Sequence, residues 1–184
     1  MSIEIVRERL VIRSWRLADA EALGIAIAES LEHIRPFLAW ASQEPKSVVD
    51  RRALLARWHA EAAVGGDENV GVFRDGRVVG GSGLHRRLGP GGLEIGYWVH
   101  AAFTRQGIAS STARALTDHA FTMPGIDRVE IKHDAANRVS GRVPARLGFQ
   151  LVGEESRVIA APAETGVHLV WRITRDEWLA AHGT

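Results

Sequence analysis

Apolar and polar residues alternate from Arg9 to Trp15, with Leu10, Ile12 and Ser14 against Val11, Arg13 and Trp15. A period of two predicts a strand there. Ala18 to Ala28 is rich in alanine and leucine and predicts a helix. Leu31 to Trp40 carries Ile34, Phe37, Leu38 and Trp40 and predicts a second, short helix bent near Pro36. Ser47 to Val64 predicts a third helix, opened by Ser47 and Asp50 in a capping arrangement, with Leu54, Leu55 and Trp58 on its apolar face. Val70 to Phe73 and Arg77 to Leu84 flank Asp75-Gly76, a two-residue turn that predicts a hairpin. Gly89-Pro90-Gly91-Gly92 is a further turn, followed by a strand at Leu93 to Val99. Ser110 to Phe121 predicts a helix, ended by Pro124-Gly125, and Arg128 to His133 alternates as a strand. Ser140 to Leu147 predicts a short helix stopped by Gly148. Phe149 to Val158 and Val167 to Ile173 complete the strands, and Thr174 to Glu177 starts a last turn of helix.

Hairpins at both ends and helices between strands indicate an α/β or α+β fold around a central mixed sheet. Composition narrows the function. The 184 residues predict a single domain, 1–184, with 46% hydrophobic residues to build its core. A net charge of +1 argues against a general nucleic-acid partner. With no cysteine, a disulfide framework, a thiolate metal site and a cysteine nucleophile are excluded. The eight histidines show no metal-ligand spacing, so no metal is expected. Neither a signal peptide nor a membrane-spanning run is seen, so the expectation is a cytoplasmic protein with no membrane partner.

The chemistry concentrates in two segments. Thr104-Arg105-Gln106-Gly107-Ile108-Ala109 joins a strand to the helix that follows at Ser110. Gly107 lets backbone approach a ligand closely, Ala109 nearly as well, and the helix start adds amides and a positive dipole. That is a site for phosphate, with Arg105 as a further charge. The second segment is Asn137-Arg138-Val139-Ser140, running into Arg146-Leu147-Gly148-Phe149. Taken alone, the first segment is equally a strand–helix turn, and Asn137 and Ser140 are equally helix caps.

Together the segments resemble the acyl-CoA-dependent N-acyltransferases of the GNAT superfamily. Glu94-Ile95-Gly96-Tyr97-Trp98, the Asn137–Ser140 segment, Pro144 to Phe149 and Ile34 to Trp40 are similar to the RimJ/RimL-type branch, in the same order and spacing. The resemblance implies a GNAT fold, a mostly antiparallel sheet splayed where acyl-CoA binds. It implies coenzyme A contacts from Thr104, Arg105, Gln106, Gly107, Ile108, Ala109 and Ser110, with the backbone of Trp98 and Val99 pairing the pantetheine as an added strand. Thr104 departs from the Gln or Arg of the family loop. The resemblance further implies that Asn137 binds the pantetheine amide and that Ser140 lies by the thioester sulfur. Many of these enzymes carry Tyr seven residues after the Asn; Pro144 stands there, so Ser140, or a water it holds, is the expected proton donor.

Acylation needs a neutral amine, hence a proton acceptor. Glu94 is the first candidate by its place in the motif, and a solvated carboxylate is the alternative. His133 is the second, with a structural histidine as the alternative. The backbone N–H of Val99 is the candidate for polarising the thioester carbonyl. Of six tryptophans, Trp15, Trp58 and Trp171 suit the core, while Trp40 and Trp98 lie near the expected acceptor cleft. The implied activity is transfer of an acetyl or other acyl group from acyl-CoA to a primary amine, by direct attack in a ternary complex. A protein N-terminus leads as acceptor; a polyamine or aminoglycoside, or a non-catalytic acyl-CoA sensor, are the alternatives. Pairing of two copies near Ala160-Ala161-Pro162 is a further expectation.

Overall fold

The computed structural model describes residues 3–183. One sheet of eight strands runs in the order β1-β2-β3-β4-β5-β6-β8-β7. The strands are β1 Glu4–Arg7, β2 Leu10–Ser14, β3 Glu68–Arg74, β4 Arg77–His85, β5 Gly92–Val99, β6 Arg128–Asp134, β7 Gln150–Ser156 and β8 Val167–Thr174. Helices α1 (Ala20–Ile34), α2 (Val48–Ala63), α3 (Ile108–Thr122), α4 (Arg138–Arg146) and α5 (Arg175–His182) complete it. Every neighbouring pair is antiparallel except β5 and β6, which are parallel. No helix among the described residues is long and apolar enough to cross a membrane.

The strands from β2 to β6, with β8, feed two apolar clusters, one on each face. Leu93 and Ile95 of β5 join Val129 and Ile131 of β6 under Leu116 and Ala120 of α3. On the other face Leu23 and Ile27 of α1 and Leu55 of α2 pack with Trp15, Phe73 and Val78. Each of these apolar side chains is almost fully buried, which favours folding by about 1.5–3 kcal/mol for each of the larger ones.

The chain departs from its local pattern in two places. Glu4–Arg7 forms an edge strand on β2, turned by Glu8 at φ 54°. The second helix expected at Leu31 to Trp40 does not form. Its first residues extend α1 to Ile34, Pro36 cannot continue the ladder, and only a 3-10 turn follows at Ala39–Gln43. The Asp75-Gly76 turn has positive φ at both residues, 50° and 77°, as its sequence requires. Ser47 caps α2 by accepting from the Asp50 amide at 3.1 Å. The loop holding Ala160 to Pro162 folds onto the α1–α2 connection, where Ala163 N–H donates to the Pro36 carbonyl at 2.9 Å.

Candidate active site

The sheet opens at its centre. β5 pairs with β6 only from Gly92 to Ile95, whereas it pairs with β4 as far as Val99. From Gly96 to Val99 the edge of β5 that faces β6 therefore has no strand beside it among the described residues. Exposed backbone of this kind takes up an extended ligand as an extra strand.

Beyond Val99 the chain turns into the loop before α3, and α1 fixes that loop. Ala101 N–H donates to Ser30 Oγ at 3.1 Å, and His100 Nε2 lies 2.9 Å from a Glu29 carboxylate oxygen. Arg105 and Gly107 both take positive φ, 59° and 77°. Gly107 is the N-cap of α3 and offers no capping side chain, and the first helical bond is Ser111 N–H to the Gly107 carbonyl at 2.9 Å. The amides of Ile108, Ala109 and Ser110 thus begin the helix without intrahelical partners, facing outward in an anion-binding arrangement. The Thr104 hydroxyl is taken by the Ala101 carbonyl at 3.2 Å, leaving its amide as the group it can offer. Arg74 reaches the same loop, stacked 4.8 Å from the Phe103 ring and donating to Gln106 Oε1 at 2.8 Å. Nothing in the local sequence marked Arg74; the end of the β3–β4 hairpin brings it there.

On the far side of the opening stands α4. Asn137 is its N-cap, and its Oδ1 accepts from the Ser140 amide at 3.2 Å. Capping is therefore realised, and it leaves the Asn137 Nδ2 amide free to donate. Tyr97, the one tyrosine of the chain, reaches from β5 to the first turn of α4. Its hydroxyl donates to the Ser140 carbonyl at 3.0 Å and lies 3.2 Å from Ser140 Oγ. Burial pushes the phenol up to about 12, against a smaller opposing effect of the Ser140 hydrogen bond. The sequence does not mark Tyr97 as a chemical group, because its partner lies 43 residues away; its place in the Glu-Ile-Gly-Tyr-Trp strand is the available signal.

Asp134 positions this end of the site. Its carboxylate accepts from the amides of Ala136 (2.9 Å), Thr165 (2.8 Å) and Gly166 (3.0 Å) and from the Thr165 hydroxyl (3.0 Å). Burial alone raises its pKa, but these donors outweigh it and hold the carboxyl below the ordinary value. A lowered folded-state pKa stabilises the fold above the unfolded carboxyl value and loses that contribution as pH falls through the folded one. Asp134→Ala leaves three backbone donors short of a partner and is expected to cost about 1–3 kcal/mol or more. Thermal unfolding of both proteins at neutral and acid pH checks this: the gap in Tm should narrow as pH falls.

The model of the acetyltransferase (GNAT) domain family matches residues 9–150. The chain belongs to this family. As a member it is an acetyltransferase, passing an acyl group from acetyl-CoA to an amine. YdaF of Bacillus subtilis (strain 168), provisionally named a ribosomal N-acetyltransferase, is 27% identical over 182 residues, covering 94% of this chain and 95% of YdaF. Mycobacterium smegmatis RimJ, solved with CoA-disulfide, superposes with a TM-score of 0.82 at 26% identity, covering 95% of this chain and 89% of that one. RimL, a ribosomal L7/L12 alpha-N-protein acetyltransferase solved with coenzyme A, shares the fold at a TM-score of 0.85 and 21% identity, covering 94% and 98% of the two chains.

The two candidate proton acceptors of this GNAT domain stand in different settings. His133 is buried, its Nδ1–H donates to the Asp134 carbonyl at 2.8 Å, and its Nε2 accepts from the Trp171 indole at 3.0 Å. Burial lowers its pKa, and both nitrogens are engaged. The ring also fills the space under Gly141, where a Cβ would lie 2.6 Å from Nε2. This arrangement supports α4 and leaves no lone pair for a substrate.

Glu94 is 7% exposed. Arg87 approaches its Oε1 at 3.4 Å, and its buried Oε2 has no partner among the described residues. Its neighbour across the parallel pair, Glu130, is by contrast held by Arg172 at 2.6 Å and Lys132 at 3.3 Å. An unpaired buried carboxylate oxygen is costly unless something else reaches it.

On the α1–α2 face a cleft of about 810 Å³ lies over β3 to β5. Trp40 and Trp98 meet edge to face there at 6.3 Å between centroids, and Trp40 is exposed at the rim. Trp15 is buried and Trp58 half-buried, and both also line this cleft. Four carboxylates and four Lys or Arg side chains border it. Glu44 is paired with Arg51 at 2.6 Å and Asp67 with His85 at 2.7 Å. Among the described residues no group of three His, Cys, Asp or Glu is placed to hold a metal ion.

Proposed function

We propose that this acetyltransferase modifies the α-amine of a protein N-terminus. The observation that carries the reading is the charge balance of the wide cleft on the α1–α2 face. Its carboxylates are matched by cations, and two of them are already paired within the protein. A polyamine or aminoglycoside is polycationic and calls for an acidic site. A peptide end carries one charge and offers apolar side chains to Trp40 and Trp98. The RimL and YdaF names point the same way, and a ribosomal acceptor implies the cytoplasm.

In this reading the amides of Ile108, Ala109 and Ser110, with Arg105 and Arg74 near by, hold the pyrophosphate. The pantetheine lies along Gly96 to Val99 with its amide on Asn137. Ser140 and Tyr97 present hydroxyls to the leaving thiolate, and the charge of the buried Glu94 attracts the incoming ammonium. Thiol release from acetyl-CoA tests the acceptor class. Hexapeptides beginning with Ser or Ala are expected to be acetylated on nitrogen at least about tenfold faster, in kcat/KM, than spermidine or kanamycin, the difference that about 1.4 kcal/mol of selectivity produces. Faster turnover of either polycation would overturn the reading.

A further inference from the structure

We propose that His85, held by Asp67, takes the proton from the acceptor amine. This inference rests on the acetyl-transfer reading and adds a residue to it. Asp67 precedes β3 and His85 ends β4. The antiparallel register that pairs Glu68 with Leu84 brings them side by side. His85 Nδ1 lies 2.7 Å from Asp67 Oδ2, and the Arg86 amide donates to Asp67 Oδ1 at 2.8 Å. Burial pushes the Asp67 carboxyl up, but the Arg86 amide, the His85 ring and the Arg87 charge outweigh it and hold it below the ordinary value. An ionised Asp67 makes Nδ1 the N–H nitrogen and leaves the lone pair on Nε2.

That lone pair faces the site. His85 lines the cleft, and no described residue makes a hydrogen bond to its Nε2. The Nε2 edge of the ring lies over two glycines. A Cβ on Gly83 would stand 2.9 Å from Nε2, and one on Gly96 would stand 3.5 Å from it. Gly96 is the first β5 residue without a β6 partner, so Nε2 sits above the point where the sheet opens. Glycine at both positions gives the imidazole its place. Glu94 is the register partner of His85 and shares its face of the sheet, with Arg87 between Glu94 and Asp67 at 3.4 and 3.9 Å. Asn69 lies alongside from β3, and α2 brings Arg57 and Glu61 to the opposite wall of the cleft.

The acceptor arrives as an ammonium. Nε2 takes one proton and frees the nitrogen lone pair. The N–C bond forms at the thioester carbonyl, and the C–S bond breaks with its electron pair on sulfur. The second amine proton leaves as the amide forms, and the thiolate gains one through the hydroxyls of Ser140 and Tyr97. The balance is one amide, one thiol and one imidazolium, which Asp67 stabilises until it discharges to solvent. Glu94 attracts the ammonium; His85 is the base.

The test is the pH profile of acetyl transfer to the best acceptor among Ser- and Ala-peptides, spermidine and kanamycin. His85→Asn keeps a donor for Asp67 and removes the Nε2 lone pair. It is expected to lower kcat about 100-fold, the lower end of the range for a general base. Its KM for acetyl-CoA should stay unchanged. The acid limb of wild-type kcat/KM should give way to a rate that climbs with the ionisation of the amine itself. His85→Ala should regain activity with added imidazole, which a purely structural loss would not show. Asp67→Asn should lower kcat less than His85→Asn, and calorimetry with CoA confirms that each variant is folded and competent. An unchanged kcat and acid limb in His85→Asn, with Glu94→Gln abolishing the limb instead, would overturn the assignment while leaving the acetyltransferase reading intact. Absence of thiol release by the wild type with every acceptor would overturn both.

Discussion

Glutamate in place of Gly107 is expected to weaken acetyl-CoA binding by about 100-fold or more, while the protein stays folded. Gly107 has φ 77°, a region that side-chain-bearing residues enter at a cost of roughly 1 kcal/mol. No atom lies within 4 Å of a Cβ built there, so the new side chain meets no core atom. It places a carboxylate at the start of α3, where free amides and the helix dipole favour an anion. The carboxylate both repels a diphosphate and occupies its donors. Charge-assisted hydrogen bonds of this sort contribute about 1.5–3 kcal/mol each, so loss of two accounts for the effect. Calorimetric titration with acetyl-CoA measures it, with thermal unfolding as the control. Equal affinity in the two proteins would remove the loop from the binding site.

The second large effect is expected at Tyr97. Its phenol, pushed up to about 12 by burial, keeps its proton throughout the working range and remains a donor to Ser140. Tyr97→Phe removes the hydroxyl and keeps the ring packed in the core cluster beside β5. With the relay to the leaving sulfur cut, kcat should fall about 100-fold, as for loss of a general acid. The affinity for CoA should change little, since the phenol touches α4 rather than the phosphate loop. Wild-type activity should show no loss assignable to this phenol between about pH 7 and about pH 10, below its raised pKa. A Tyr97→Phe enzyme with the wild-type kcat would assign the proton to Ser140 or to solvent alone.

Local chemistry written into the sequence made much of the fold legible. Asp75-Gly76 specifies a turn that few other pairs permit and so marks β3 and β4, Ser47 caps α2, and period-two runs mark β2 and β6. The Glu4–Arg7 strand was not legible because Glu8 turns the chain without a glycine and half of the strand faces solvent. The apolar spacing from Leu31 to Trp40 imitates one helical face because two separate segments pack against the core there. For the site, Gly107 and Asn137 stand at helix starts, where sequence signals are strongest. The Tyr97–Ser140 and Asp67–His85 pairs are joined by topology alone, through the β5–α4 approach and the β3–β4 register. His133 illustrates the converse: a histidine on the correct strand, whose two nitrogens the fold commits to Asp134 and Trp171.

A crystal structure with bound acetyl-CoA is the most direct test of the central claim. The account predicts the pyrophosphate on the amides that open α3, the pantetheine hydrogen-bonded to the unpaired edge of β5, and the acetyl carbon between Ser140 and the cleft on the α1–α2 face. Acetyl-CoA seated elsewhere, with the gap between β5 and β6 left empty, would contradict it.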